Sequence, residues 1–196
     1  MKDLSVREIH QLLLSRLGTG RRKEIKIDGF HRAAVLVPIV RSTDTYELLF
    51  TKRTEVVETH KGQISFPGGM VDDHDPDVVH AALREAYEEV GIPVTAVETV
   101  GLLDDLSTPT GFVITPVVGI IENLPQLRVN DIEVEEAFRM PLLFFADPGN
   151  GRMELREFQG RKREVWYYES GKHMIWGATA MIIRSLLKKL DLAPPQ

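Results

Sequence analysis

Ile9, Leu12, Leu13 and Leu17 recur at three- and four-residue spacing, which predicts an amphipathic helix from about Ser5 to Leu17. Gly18-Thr19-Gly20 ends it, and Arg21-Arg22-Lys23 follows as a short basic linker, read as a solvated loop. No Gly-Lys-Ser/Thr follows these glycines, which excludes a phosphate-binding P-loop. The apolar run Ala33 to Val40 predicts a buried strand, with Pro38 pointing to an edge or a bulge. Tyr46 to Lys52 predicts a second strand, joined to the first by the turn residues Ser42-Thr43-Asp44. A long stretch punctuated by Gly and Pro, Thr54 to Asp75, then carries one short apolar element at Ile64-Ser65-Phe66. A helix follows from Pro76 to Val90, then strands near Val97–Leu103 and Phe112–Ile121. Glu133 to Phe145 predicts a short helix broken before Pro141. Met153–Phe158 and Glu164–Tyr168 form a hairpin around Gly160, and a helix from about Gly177 to Leu190 closes the chain. Tyr168 and Trp176 read as core residues. Neither an internal repeat nor a low-complexity segment interrupts the pattern. Mixed strands and helices in this order predict an α/β sandwich in one domain spanning residues 1–196, with the first helix and its linker at 1–24.

Composition narrows this picture more than it enlarges it. With 43% hydrophobic and 27% charged residues, the chain has the balance of an ordinary globular protein able to bury a core. A net charge of −5 argues against a non-specific nucleic-acid binder, which is normally basic. It leaves a nucleotide substrate open, because a bound cation can bring an anion to an acidic site. The absence of cysteine removes disulfides, thiolate nucleophiles and sulfur-ligated zinc. No apolar run reaches membrane-span length, and Met1-Lys2-Asp3 lacks the basic-then-apolar order of a signal peptide. Ala193-Pro194-Pro195-Gln196 is not a peroxisomal address, so the cytoplasm is the default expectation.

The helix ending at Val90 carries the candidate chemistry. Asp75 followed by Pro76 reads as an N-cap and first helical residue, and Gly91 as the C-terminal stop. Val79, Ala82, Leu83, Ala86 and Val90 form one apolar stripe, while Glu85, Glu88 and Glu89 share another face at i, i+3 and i+4. As structure these glutamates are misplaced. Like charges at that spacing repel by roughly 0.2–0.5 kcal/mol per pair, and a helix C-terminus disfavours anions by roughly 0.3–1 kcal/mol each. A hard divalent cation, which takes oxygen ligands, removes both penalties. Arg84 precedes the cluster, and Phe66-Pro67-Gly68-Gly69 lies one loop upstream, where paired glycines let backbone approach a ligand.

These residues resemble a family motif. Arg84-Glu85-Ala86-Tyr87-Glu88-Glu89-Val90-Gly91-Ile92, with Gly69 upstream, is similar to the Nudix box, which here spans residues 66–92 with its loop and helix. The second half is complete. In the first half Asp75 stands where the family has Glu, and eight residues rather than the family's seven separate it from Arg84. A second run, Leu49-Phe50-Thr51-Lys52-Arg53-Thr54 and then His60-Lys61-Gly62-Gln63-Ile64-Ser65-Phe66-Pro67-Gly68-Gly69, resembles the signature preceding the box in the coenzyme A diphosphatase branch. The late Ile175-Trp176-Gly177-Ala178-Thr179-Ala180 is also similar to that branch, whereas Glu58 replaces an arginine of its signature.

The resemblance implies a Nudix-like α/β/α sandwich with a mixed sheet, and a hydrolase that cleaves the diphosphate of coenzyme A or its acyl derivatives with Mg²⁺ or Mn²⁺. It implies that Glu85, Glu88 and Glu89 hold the cations, that one of them helps orient or deprotonate water, and that Arg84 pairs with an acidic side chain to fix them. Gly68 and Gly69 would let the loop reach metal or phosphate, and Arg53, His60 and Lys61 are the nearest cations for a 3′-phosphate. Glu133 and Glu136 are candidates for a base outside the box, beside a plain reading as a solvated acidic loop. ADP-ribose, a dinucleotide or another nucleoside diphosphate-linked compound is the alternative substrate, and a non-catalytic nucleotide sensor a remoter one. The expected partner is a small molecule rather than nucleic acid or membrane, and a homodimer stays open.

Overall fold

A computed structural model describes residues 4–18, 22–55, 62–158 and 160–194. His60, Lys61 and Glu58 of the signature lie outside the described residues.

The first helix, α1 (Val6–Leu17), starts where the pattern placed it. Ser5 and Glu8 cap each other in a capping box, and Ile9, Leu13 and Leu17 are buried. The strands β1 (His31–Arg41), β2 (Tyr46–Arg53), β3 (Ile64–Ser65), β4 (Gly68–Met70), β5 (Glu98–Leu102), β6 (Leu106–Ser107), β7 (Phe112–Ile121) and β8 (Val134–Pro141) form one sheet. Its path is β3-β2-β1-β7-β5, with β4 paired to β1, β6 to β7 and β8 to β2. β1 and β7 run parallel over His31–Val40 and Phe112–Ile121, and the other pairs are antiparallel, so the sheet is mixed.

Side-chain alternation along β1 divides the core. Ala34 and Leu36 point to one face and pack with Val117 against Ala81, Ala82, Leu83 and Ala86 of α2 (Val78–Val90). Val37 and Ile39 point to the other, where α1 and α3 (Gly177–Lys189) cover the sheet together with Tyr168 and Ile175. Those two residues belong to a second, three-stranded sheet of β9 (Gly151–Phe158), β10 (Arg161–Ser170) and β11 (His173–Trp176). The result is the expected α/β/α sandwich. No described helix is long and apolar enough to cross a membrane.

Several local expectations are corrected. Pro38 is on the central strand, not an edge: it falls in the fork between the β4 pairing at Ala33–Val35 and the β2 pairing at Ile39–Arg41. Glu133–Phe145 holds no α-helix; Val134–Pro141 is a strand paired with β2 along its length, followed by a 3-10 turn at Leu142–Phe144. Glu, Ala, Arg and Met favour helix locally, but here pairing with Tyr46–Arg53 decides, reinforced by Lys52–Glu135 at 2.7 Å and Arg139–Glu47 at 3.1 Å. Arg22 is not a solvated linker charge. Its side chain is 14% exposed and pairs at 3.1 Å with the fully buried Asp105, which also accepts from Thr115 Oγ1 and from the Ile25 N–H. Tyr168 is core, whereas Trp176 is 37% exposed.

Candidate functional site

The helix α2 begins at Val78, not Pro76, and its N-cap is Asp77, whose carboxylate accepts from the Val79 and His80 N–H groups at 2.8 and 2.9 Å. Asp75 is therefore not the cap. Its side chain is 5% exposed and takes a two-pronged bond from Arg84, Nε to Oδ1 at 3.0 Å and Nη2 to Oδ2 at 2.9 Å. A planar guanidinium matches a carboxylate in this fork geometry. The pairing holds the Asp75 carboxyl below its ordinary range. It also fixes Arg84, whose Nη1 donates to Glu85 at 2.8 Å and to Glu88 at 3.1 Å, while Nη2 reaches the Met70 carbonyl at 3.3 Å. One guanidinium thus ties together the loop before α2, the end of β4 and two of the three glutamates.

The glycine loop closes over the same face. β4 pairs with β1, Gly69 opposite Ala34 and Gly68 opposite Val35, and the Pro67 carbonyl accepts from the Leu36 N–H. A Cβ at Gly69 would meet the Glu85 carboxylate at 2.5–2.6 Å, so no other residue fits there without moving Glu85. The Gly68 N–H donates to Glu89 Oε2 at 3.3 Å, and Arg53 Nη1 stands 3.6 Å from Glu89 Oε1. Gly91, at φ 73°, ends the helix directly after these residues and donates to the Tyr87 carbonyl.

Burial is what distinguishes the glutamates from a solvated acidic face. Glu89 is 3% exposed, and desolvation pushes its carboxyl up to about 8. Arg53 and the Gly68 N–H oppose that rise, while the nearby charges of Glu85 and Glu133 add to it. Glu85 is also raised, by burial first, against the pull of Arg84. Glu88 is the exposed member of the set, its side chain 54% accessible. Among the described residues no three carboxylates or histidines converge at ligating distance, because Arg84 now holds Glu85 and Glu88. The donor set nevertheless suits a hard cation: carboxylate oxygens on one helical face, one of them buried with a single N–H and one arginine as partners.

Outside the box, the two candidate bases separate. Glu133 acts electrostatically on both Glu85 and Glu89, and its loop is sewn to the site by Asn130 N–H to the Glu89 carbonyl and Thr54 N–H to the Glu133 carbonyl. Glu136 is bound instead to Lys172 at 2.9 Å and His173 at 3.3 Å, which hold its carboxyl low. The sequence alone makes the loop around Asn130 a solvated acidic one, whereas it is bonded to the site. Its Asx turn, Ile132 N–H to Asn130 Oδ1, was the available signal.

Comparison with known proteins identifies the family. The NUDIX domain model matches residues 30–166. Proteins described as the uncharacterized Nudix hydrolase NudL, from Shigella flexneri and from Escherichia coli O1:K1 / APEC, are each 43% identical over 165 residues, covering 84% of this chain and 85% of theirs. A solved Nudix hydrolase from M. smegmatis, RenU, superposes with a TM-score of 0.51 at 21% identity, over 64% of this chain and 81% of that one, a likeness of fold. Matched across most of its length in sequence, and carrying the complete second half of the box on α2, the chain belongs to the Nudix family and is a pyrophosphohydrolase.

Proposed function

We propose that the chain is a Mg²⁺- or Mn²⁺-dependent diphosphatase of coenzyme A or its acyl derivatives, releasing 3′,5′-ADP and 4′-phosphopantetheine or its acylated form. The observation that carries this reading is the contact between Arg53 and Glu89 at 3.6 Å. Arg53 belongs to the run resembling the coenzyme A signature, Glu89 to the box, and the fold brings the two motifs to one point.

In this reading Glu85, Glu88 and Glu89 hold the cation. When bound, it would neutralise the diphosphate oxygens and acidify the attacking water. Arg84, locked by Asp75, sets the position of Glu85 and Glu88, the residues that would hold the cation with Glu89. Gly69 leaves room for the Glu85 carboxylate where it stands, and the Gly68 N–H steadies Glu89. The water oxygen adds to phosphorus, the bridging P–O bond breaks, and the water proton passes to a carboxylate; Glu133 is better situated for this than Glu136. Arg53 meets the anionic substrate beside Glu89, and His60 and Lys61 complete the cationic set for the 3′-phosphate.

The test is product analysis by mass spectrometry over a panel of coenzyme A, acyl-coenzyme A, ADP-ribose, dinucleotides and nucleoside triphosphates, with Mg²⁺ and with Mn²⁺. Release of 3′,5′-ADP from coenzyme A is the expected result. Cleavage of ADP-ribose with coenzyme A left intact would overturn the assignment in favour of another nucleoside diphosphate-linked substrate.

A further inference from the structure

The three-stranded sheet carries Met153, Leu155, Phe158, Met174 and Trp176, all exposed large apolar side chains. Among the described residues β9 is one of its two outer strands, eight residues long, with Leu155 near its middle and 64% exposed. An edge strand presents unpaired N–H and C=O groups, and a long one with an apolar centre is a template for another strand. Monomeric proteins blunt such edges with charges that repel an incoming copy. Here the charges do the reverse.

Alternation puts Arg152, Glu154, Arg156 and Phe158 on one face of β9, and Met153, Leu155 and Glu157 on the other. The charged row is ordered: Glu154 is bonded to both Arg152 and Arg156, whose guanidinium groups lie over the Tyr167 ring at 4.3 and 5.3 Å. Its signs alternate, so the strand is complementary to its own antiparallel copy. We propose that a second copy of this chain covers this edge, the two β9 strands pairing antiparallel about a two-fold axis at Leu155.

In that register Leu155 meets the partner's Leu155, Glu154 faces the partner's Arg156, and Arg152 faces the partner's Phe158. Arg156 and Phe158 make the same contacts in return, as an isologous interface requires. Neighbouring registers are worse. Centring on Glu154 sets Arg152 against the partner's Arg156 and Glu154 against itself, and centring on Arg156 sets arginine against arginine, pairings that destabilise a ladder. Centring on Met153 keeps an Arg152–Glu154 match but leaves Arg156 and Phe158 unpaired and shortens the ladder. The two small sheets would join into one six-stranded sheet, away from the glutamates of α2.

Light scattering coupled to gel filtration over the micromolar range tests this on the intact chain. The expected mass is twice 22.1 kDa. L155K and R156E should each run as monomers with unchanged circular dichroism, and the charge swap E154R/R156E should restore the dimer. The absence of cysteine allows a direct probe. Residues directly opposite in an antiparallel pair have Cα atoms about 4.5–5.5 Å apart, within disulfide range. L155C should therefore form a reducible covalent dimer under mild oxidation, whereas L14C, at an exposed position of α1, should not. A monomeric wild-type chain overturns the proposal. So does a dimer that survives L155K while L155C fails to cross-link.

Discussion

At the scale of single residues, two aspartates only two positions apart have opposite tasks. Asp77 caps α2, and D77A should cost about 1 kcal/mol of stability with little change in kcat, read by urea unfolding and by steady-state kinetics. Asp75 clamps Arg84, and D75A should lower kcat by roughly 10–100-fold as a disturbed support of the ligand set. Equal effects of both substitutions on turnover would contradict this division. Glu89 makes a sharper case. E89Q keeps an acceptor for the Gly68 N–H but removes the group that can ionise to hold a cation, so it should fold normally and lose at least about a hundredfold in turnover. Near-normal turnover would remove Glu89 from the cation site. G69A should fold and lose turnover by less than E89Q, because its methyl group would displace the Glu85 carboxylate that it meets at 2.5 Å, the flexible end of that side chain.

At the scale of elements, α2 shows how a helix can be correct in sequence and still require its surroundings. Its apolar stripe, its glutamate face and its Gly91 stop were legible from spacing and from the left-handed preference of glycine. The start was displaced by two residues because aspartate, proline and aspartate in succession offer two caps, and only the bond to Arg84, nine residues away, removes Asp75 from contention. β8 has the local sequence of a helix because its residues favour helix individually. Its alternation is weak, and the partner that makes it a strand, Tyr46–Arg53, is far away in the chain. Arg22 looks like a solvated linker charge in the sequence for the same reason, since its partner Asp105 comes from the segment before β6.

At the scale of the whole molecule, the site's charge is tied to folding. A carboxyl whose folded value is about 8, against an ordinary 4.5, holds its proton in the folded chain where the unfolded chain has lost it. Between these values the folded state binds more protons, so stability falls as pH rises, by at most about 1.4 kcal/mol per pH unit from this group. Cation-free protein should therefore show a Tm that declines from pH 5 toward pH 8, and E89Q should flatten that decline. Adding Mg²⁺ or Mn²⁺ should raise Tm more at pH 8 than at pH 6, because ligation requires the ionised carboxylate. A pH-independent gain would argue against ligation through Glu89.

By itself the sequence determined what depends on near neighbours: the amphipathic helices, the buried strands, the glutamates at i, i+3 and i+4, and the family motif that encodes them. Tertiary structure decided what depends on distant partners. It made Asp75 a clamp rather than a cap, buried Glu89 beneath Gly68 and Arg53, drew Glu133 but not Glu136 toward the site, and left β9 as an edge. Helix periodicity and turn chemistry act over a few residues, and a sequence displays them directly. Burial, charge pairing and strand adjacency join residues that only folding brings within a few ångströms.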